Sequence, residues 1–200
     1  MWRRSNTSTR DLGLLALRLT AGGLMAGHGA QKLFGAFGGY GLEGTGGWLE
    51  SIGLKPGKNW AMMAGGAEFG SGMLTALGFL HPLGPISMFG PMIMAWTTVH
   101  TGKPIWATSG GAELPLMYLA TASALGLTGP GSYSLDEAFG VEVPTSLVLL
   151  TAAGVAAGIG AGIMMQEPPP QEQADEAGGE LQAGTEAGGE GIDTALAAGE

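Results

Sequence analysis

Residues Asp11–Phe34 read DLGLLALRLTAGGLMAGHGAQKLF. Apolar and small side chains dominate this run, but Arg18, His28, Gln31 and Lys32 interrupt it, and Arg3, Arg4 and Arg10 precede it. A basic start before an apolar stretch is also the pattern of a secretory leader. Arg18 inside the apolar region, and the lack of a small-x-small cleavage site before Lys32, argue instead for a retained membrane span.

Four further runs follow. Trp60–Leu80 is about 20 residues long, the length a helix needs to cross the hydrocarbon, and its one charge is Glu68. Leu83–Val99 contains Pro91, expected to kink it. Leu114–Thr128 begins after Glu113 and tolerates Pro115 in its first turn. Pro144–Met165 carries no charge. None of the runs shows sustained period-two alternation, so strands are not indicated. The reading is all-α: a transmembrane helical bundle with a four-helix membrane domain over 11–136 and a fifth span over 144–166.

Outside these runs the composition shifts. The formal charge of -9 lies wholly in the tail 167–200, which has nine acidic residues and no Lys, Arg or aromatic; the body before it is neutral. The tail repeats Glu-Ala-Gly-Gly-Glu at 176–180 and 186–190. Such a composition buries too little apolar surface to offset chain entropy and predicts disorder. The arginines at 1–10 place the N-terminus in the cytoplasm, so five crossings leave the tail outside. Zero cysteines exclude a disulfide scaffold, a thiolate metal site and sulfur nucleophiles. A pI near 4.7 with eight basic residues argues against nucleic acid. The implied partner is the lipid bilayer.

Glycines four apart recur at Gly23 and Gly27, at Gly66 and Gly70, and at Gly154, Gly158 and Gly162. In lipid this spacing lets backbones approach, and the last set suggests an interface, for instance between two copies of the chain. Chance also produces such spacings in a chain with 39 glycines.

An ionisable group in a span costs about 2.5–3.5 kcal/mol on insertion scales and needs a partner or a purpose. At 100° per residue, Arg18, Met25, His28 and Lys32 share one helix face, with Gln31 off it. Glu68 is expected to face Arg18 across the first helix pair. That contact is either a packing device or part of a ligand or proton site. His28 suits proton acceptance; a metal is not expected, since His81 and His100 fall at span ends and no thiolate exists. His100 and Glu113 flank the third loop and could meet at one membrane face. Trp48, Trp60, Trp96 and Trp106 lie near span ends and read as interfacial anchors, Trp96 also as a platform for a flat ring. Gly39-Tyr-Gly-Leu-Glu-Gly44 has dinucleotide-loop spacing but follows no strand, so no nucleotide is predicted.

The residues Arg18, Gly27-His28-Gly29-Ala-Gln31-Lys32-Leu-Phe34-Gly35, Gly38-Gly39-Tyr-Gly41, Gly53-Leu54-Lys-Pro56, Ala67-Glu68-Phe69 and Gly129-Pro130-Gly131-Ser-Tyr133-Ser-Leu135-Asp136 resemble the DoxX family of small membrane proteins, over about residues 12–136. The resemblance implies a four-helix core joined to respiratory or redox partners; the family name comes from subunits associated with a thiosulfate:quinone oxidoreductase. Its motif positions are here Arg18, His28, Lys32, Glu68, His100 and Glu113. The fifth helix and the acidic tail depart from the family pattern.

The functional expectation is a subunit of a membrane redox system with a quinone or small-solute site in the bundle. His28 and Glu68 would move protons, while Arg18, Lys32, Trp96, His100 and Glu113 would bind the ligand. The alternative is a non-catalytic scaffold for a soluble redox enzyme or a second membrane subunit. A transporter or proton pathway is disfavoured by five spans without an internal repeat.

Overall fold

The computed structural model describes residues 8–167, which are helical without a strand. The tail from 168 onward, with its acidic repeats, and the arginines at 3 and 4 lie outside the described residues.

Eight α-helices follow in order: α1 Thr9–Leu17, α2 Gly23–Phe34, α3 Gly41–Ser51, α4 Gly57–Leu77, α5 Leu83–Ala95, α6 Glu113–Thr128, α7 Leu135–Phe139 and α8 Thr145–Met165. A π-helical stretch, Arg18–Gly22, joins α1 to α2, and a second one, Trp96–His100, extends α5. The five apolar runs thus become rods whose ends fall within a few residues of those expected. Local chemistry sets the ends. Ser8 Oγ accepts from the Asp11 amide while the Asp11 carboxylate accepts from the Ser8 amide, a reciprocal cap that starts α1. Gly78, in the left-handed region at φ 61°, ends α4. Pro91 sits inside α5 without ending it.

Two elements escaped the hydropathy reading. In α3, a glycine-rich segment has weak helix propensity, yet Thr45, Gly46 and Leu49 are buried and the helix packs on α4. The five-residue α7 starts at Ser134, whose hydroxyl accepts from the Glu137 amide.

Of the five spans expected, one meets the test of length and composition by itself. Among the described residues, α8 is the one helix both long and apolar enough to cross a membrane by length and composition, with mean hydropathy 2.1. The first rod is divided by its π-helical stretch, and α4, though 21 residues long, carries Lys58, Asn59, Glu68 and several glycines that lower its hydropathy.

The tightest pairing is α2 against α4, running antiparallel. A methyl built on Gly22 would lie 2.5 Å from the Ala76 nitrogen; one on Gly29 would strike the Phe69 backbone, and one on Gly72 the Ala26 backbone. Gly65 faces Leu33 and Lys32. The close contacts therefore fall on glycines seven apart, Gly22 and Gly29 against Gly65 and Gly72. Gly23, Gly27, Gly66 and Gly70 have open space where a side chain would go. The expected glycine pairs thus sit one position off the face that is used. Seven residues return nearly to the same helix azimuth, so this spacing keeps one seam in contact over two turns.

Alternation of the rods brings distant residues to shared ends. At one end, Arg10 Nη2 donates to the Thr128 carbonyl at 2.6 Å and the Asp11 carboxylate accepts from the Ser132 amide and hydroxyl. At the other, Gln166 Nε2 donates to the Ile52 carbonyl at 3.0 Å, and the Glu167 amide to the Gly53 carbonyl at 2.9 Å. Between these ends lies a core of Ala21, Met25, Met88, Met92, Tyr118 and Ala122.

Candidate functional site

The antiparallel register decides which charges meet. Lys32, in the last turn of α2, is opposite the middle of α4, and its Nζ lies 2.6 Å from Glu68 Oε2. The Glu68 side chain is 6% exposed and that of Lys32 27%. A carboxylate so enclosed needs a cation or donor beside it, and Lys32 supplies both. His28 Nδ1 pairs with Gln31 Oε1 at 3.2 Å.

This corrects the expected Arg18–Glu68 contact. Arg18 lies 14 residues before Lys32, and in an antiparallel pair that displacement carries it beyond the far end of α4. Its guanidinium occupies the space against Gly78, ten residues or about 15 Å along the chain from Glu68. There Arg18 donates to the Tyr133 carbonyl and is 2% exposed, with its Nε and Nη1 unpartnered among the described residues. The adjoining Asp136 carboxylate, also buried, accepts from the Leu80 amide at 2.8 Å and the His81 amide at 2.7 Å. Asp136 returns its own amide to the Gly78 carbonyl at 3.1 Å. Arg18 and Asp136 thus organise the turn after α4. Burial pushes the His81 imidazole below its ordinary pKa, opposed by the Gly126 carbonyl and the Asp136 charge and reinforced by Arg18.

Lys32 and Glu68 border a half-open cavity of about 740 Å³ lined mainly by α4, α5 and α8. Its wall is otherwise mostly apolar: Trp48, Leu49 and Trp60 stand toward one end, and Met63, Pro91 and Met94 along its length. His100 reaches the same cavity, while its Nδ1 pairs with the Gly110 carbonyl at 2.6 Å. The expected meeting of His100 and Glu113 does not occur: Glu113 Oε2 instead accepts from the Ala107 amide at 2.8 Å, so each residue ties down a different part of the loop between α5 and α6.

Of the residues singled out from sequence, the structure therefore gathers Lys32, Glu68 and His100 on one cavity. His28 stands behind the ion pair, and Arg18, Trp96 and Glu113 lie off the cavity wall. Tyr118 had no distinguishing sequence signal. It is 5% exposed, packed in the core with Met25, Met88 and Met92. Among the described residues no three His, Asp or Glu side chains converge as metal ligands.

The Gly154, Gly158 and Gly162 set divides. Gly162 packs on Met94 within the chain, and Gly154 and Gly158 border the cavity.

Compared with known proteins, residues 13–101 match the DoxX family model. That span includes Arg18, His28, Lys32, Glu68 and His100 and stops before Glu113, α6 and α8, so it is shorter than the stretch over which the motifs were read. No curated protein and no solved structure matches the chain.

Proposed function

We propose, from the DoxX segment at residues 13–101, that this small membrane protein crosses the bilayer several times and holds a quinone-like amphiphile at Lys32 and Glu68. The family is one of membrane proteins, so lipid is its medium. Multiple crossings are supported by apolar side chains on the outer faces of several rods, such as Leu24, Met62, Met117 and Leu150, each more than half exposed. The proposed orientation keeps residues 1–10 cytoplasmic, 11–136 as the membrane domain, 144–166 as a fifth span and the acidic tail outside.

The observation that carries the ligand reading is the Lys32–Glu68 pair, at 2.6 Å, on the wall of a mostly apolar cavity of about 740 Å³. Few polar groups on an apolar wall are the usual make-up of a small-molecule site. Lys32 Nζ donates to a quinone oxygen, and Glu68 exchanges protons with the head, with His28, off the cavity wall, as the proton reservoir behind it. A quinone taking up two electrons and two protons becomes a quinol. The electrons come from a redox centre in a partner, either a soluble enzyme or a second membrane subunit.

The test is titration of the purified protein with a short-tailed quinone, read by quenching of the cavity tryptophans Trp48 and Trp60. Saturable quenching, weakened about tenfold or more in Glu68→Gln by loss of a charged hydrogen bond, is expected. Unsaturable quenching, or a Glu68→Gln titration identical to wild type, removes the reading.

One observation favours the scaffold alternative. Lys32–Glu68 bridges α2 and α4 where Gly22, Gly29, Gly65 and Gly72 already bring the backbones together, so a pair that serves packing alone is replaceable without functional loss. Capture of a redox partner from native membranes by the Lys32→Met/Glu68→Met protein, at wild-type yield and with no quinone bound by either, is the result that would favour it.

A further inference from the structure

The cavity has three helical walls, and the third lies outside the DoxX segment. α4 contributes residues from Trp60 to Leu74, α5 and its extension Ser87 to His100, and α8 Thr151, Gly154, Val155, Gly158 and Ile159. The family match ends at residue 101.

α8 is fastened firmly toward its C-terminal end. Gly162 sits against Met94 and Trp60, and the end of the helix is tied to the Ile52–Lys55 turn by the Gln166 and Glu167 hydrogen bonds and by Lys55 Nζ, 3.0 Å from Glu167 Oε2. One turn or two earlier the helix touches α5 through Val155 against Gly90, but its two glycines meet no neighbour. A methyl built on Gly154 or Gly158 would meet nothing within 4 Å. Glycine inside a helix costs about 1 kcal/mol relative to alanine, and at these two positions no close backbone contact within the chain offsets that cost. What the missing side chains leave is room in the cavity.

The shape of that room is informative. From Trp60 to Leu74 the cavity follows α4 for about 20 Å. It is long, its polar groups are few, and its ion pair lies part way along it, about 12 Å from the Trp60 end. A compact polar solute fits neither the length nor the lining, whereas an amphiphile with one polar head and a long apolar tail fits both.

We propose that α8 forms the tail channel of this site, with Gly154 and Gly158 setting the width available to an isoprenoid or similar apolar chain whose head rests at Lys32–Glu68. The inference rests on the head-group reading above and adds to it the tail and the helix that selects it.

The test compares wild type with Gly154→Leu/Gly158→Leu. Open space at both positions and the better helix propensity of leucine keep the variant folded, which its thermal melt verifies. Two ligands are titrated, a quinone with an isoprenoid tail and the same ring without one. The variant is expected to bind the tailed quinone about tenfold or more weakly, by loss of buried apolar contact, and the tailless ring as wild type does. Glu68→Gln weakens both. Equal binding of the tailed quinone by variant and wild type overturns the tail channel and leaves the head-group reading standing. Should wild type bind neither quinone, the head-group reading fails, and native mass spectrometry of co-purified lipids decides the channel. A long-tailed molecule retained by wild type and lost in the variant sustains it; equal retention overturns it.

Discussion

Lys32 Nζ and Glu68 Oε2 stand 2.6 Å apart across the α2–α4 seam, on the border of a cavity of about 740 Å³. The relationship is asymmetric: Glu68 is nearly enclosed, while Lys32 retains a quarter of its side-chain exposure.

That asymmetry predicts unequal effects of removing each partner. Lys32→Met leaves an uncompensated carboxylate and should cost on the order of 2–3 kcal/mol, somewhat less than a fully buried pair would. Glu68→Gln leaves a lysine that can turn toward the open side and should cost about half as much. The double variant Lys32→Met/Glu68→Met should lie closer to wild type than Lys32→Met does. Thermal or denaturant unfolding in detergent, run as a double-mutant cycle, measures the coupling.

A second prediction separates the two glycine registers. Gly29→Ala and Gly72→Ala push a methyl into the opposing backbone and should destabilise by about 1–3 kcal/mol, as overpacking does. Gly23→Ala, Gly27→Ala, Gly66→Ala and Gly70→Ala point into open space and should be neutral or stabilising by up to about 1 kcal/mol. Melting temperatures of the six single variants give the comparison, and equal losses in both groups would contradict the seam.

Asp136 closes the turn after α4 by accepting from two amides. Asp136→Ala strands both and removes the carboxylate beside Arg18, so a loss of about 2–4 kcal/mol is expected. Asp136→Asn keeps one acceptor and should cost less. Hydrogen exchange at the Leu80 and His81 amides reports the loss directly, since their protection should fall first.

His81 predicts a pH effect. Burial favours its neutral form, so the folded state binds fewer protons than the unfolded one where histidine titrates. Stability should therefore be fully present above the ordinary histidine range, near pH 6.5, and decline as the pH falls through it. His81→Gln should flatten the part of the thermal-stability profile that falls between pH 7.5 and 5.5. An unchanged slope in that variant would assign the pH dependence to other groups.

Much of the architecture was legible in the chain because it rests on local patterns. The apolar runs at 11–34, 60–80, 83–99, 114–128 and 144–165 mark five rods to within a few residues; the structure adds the local stops at Ser8, Pro56, Gly78 and Pro144, whose effects act within a turn. α3 was not legible, since its helix is held by packing of Thr45, Gly46 and Leu49 on α4 and not by propensity. The charged stripe of Arg18, His28 and Lys32 was visible too, and so was the isolation of Glu68. The partner assigned to Glu68 was the wrong end of that stripe.

By itself the sequence determined that the body is helical, where its five rods lie to within a few residues, that this body is neutral and that the chain has no thiol chemistry. Only the tertiary structure decided that Glu68 answers to Lys32 and Arg18 to the turn at Gly78, and that Gly154 and Gly158 border a cavity. The reason is geometric. Periodicity assigns each residue to a face of its own helix, but the sliding position of one helix along another is set by which glycines let the backbones touch, and that choice exists only once both helices are present.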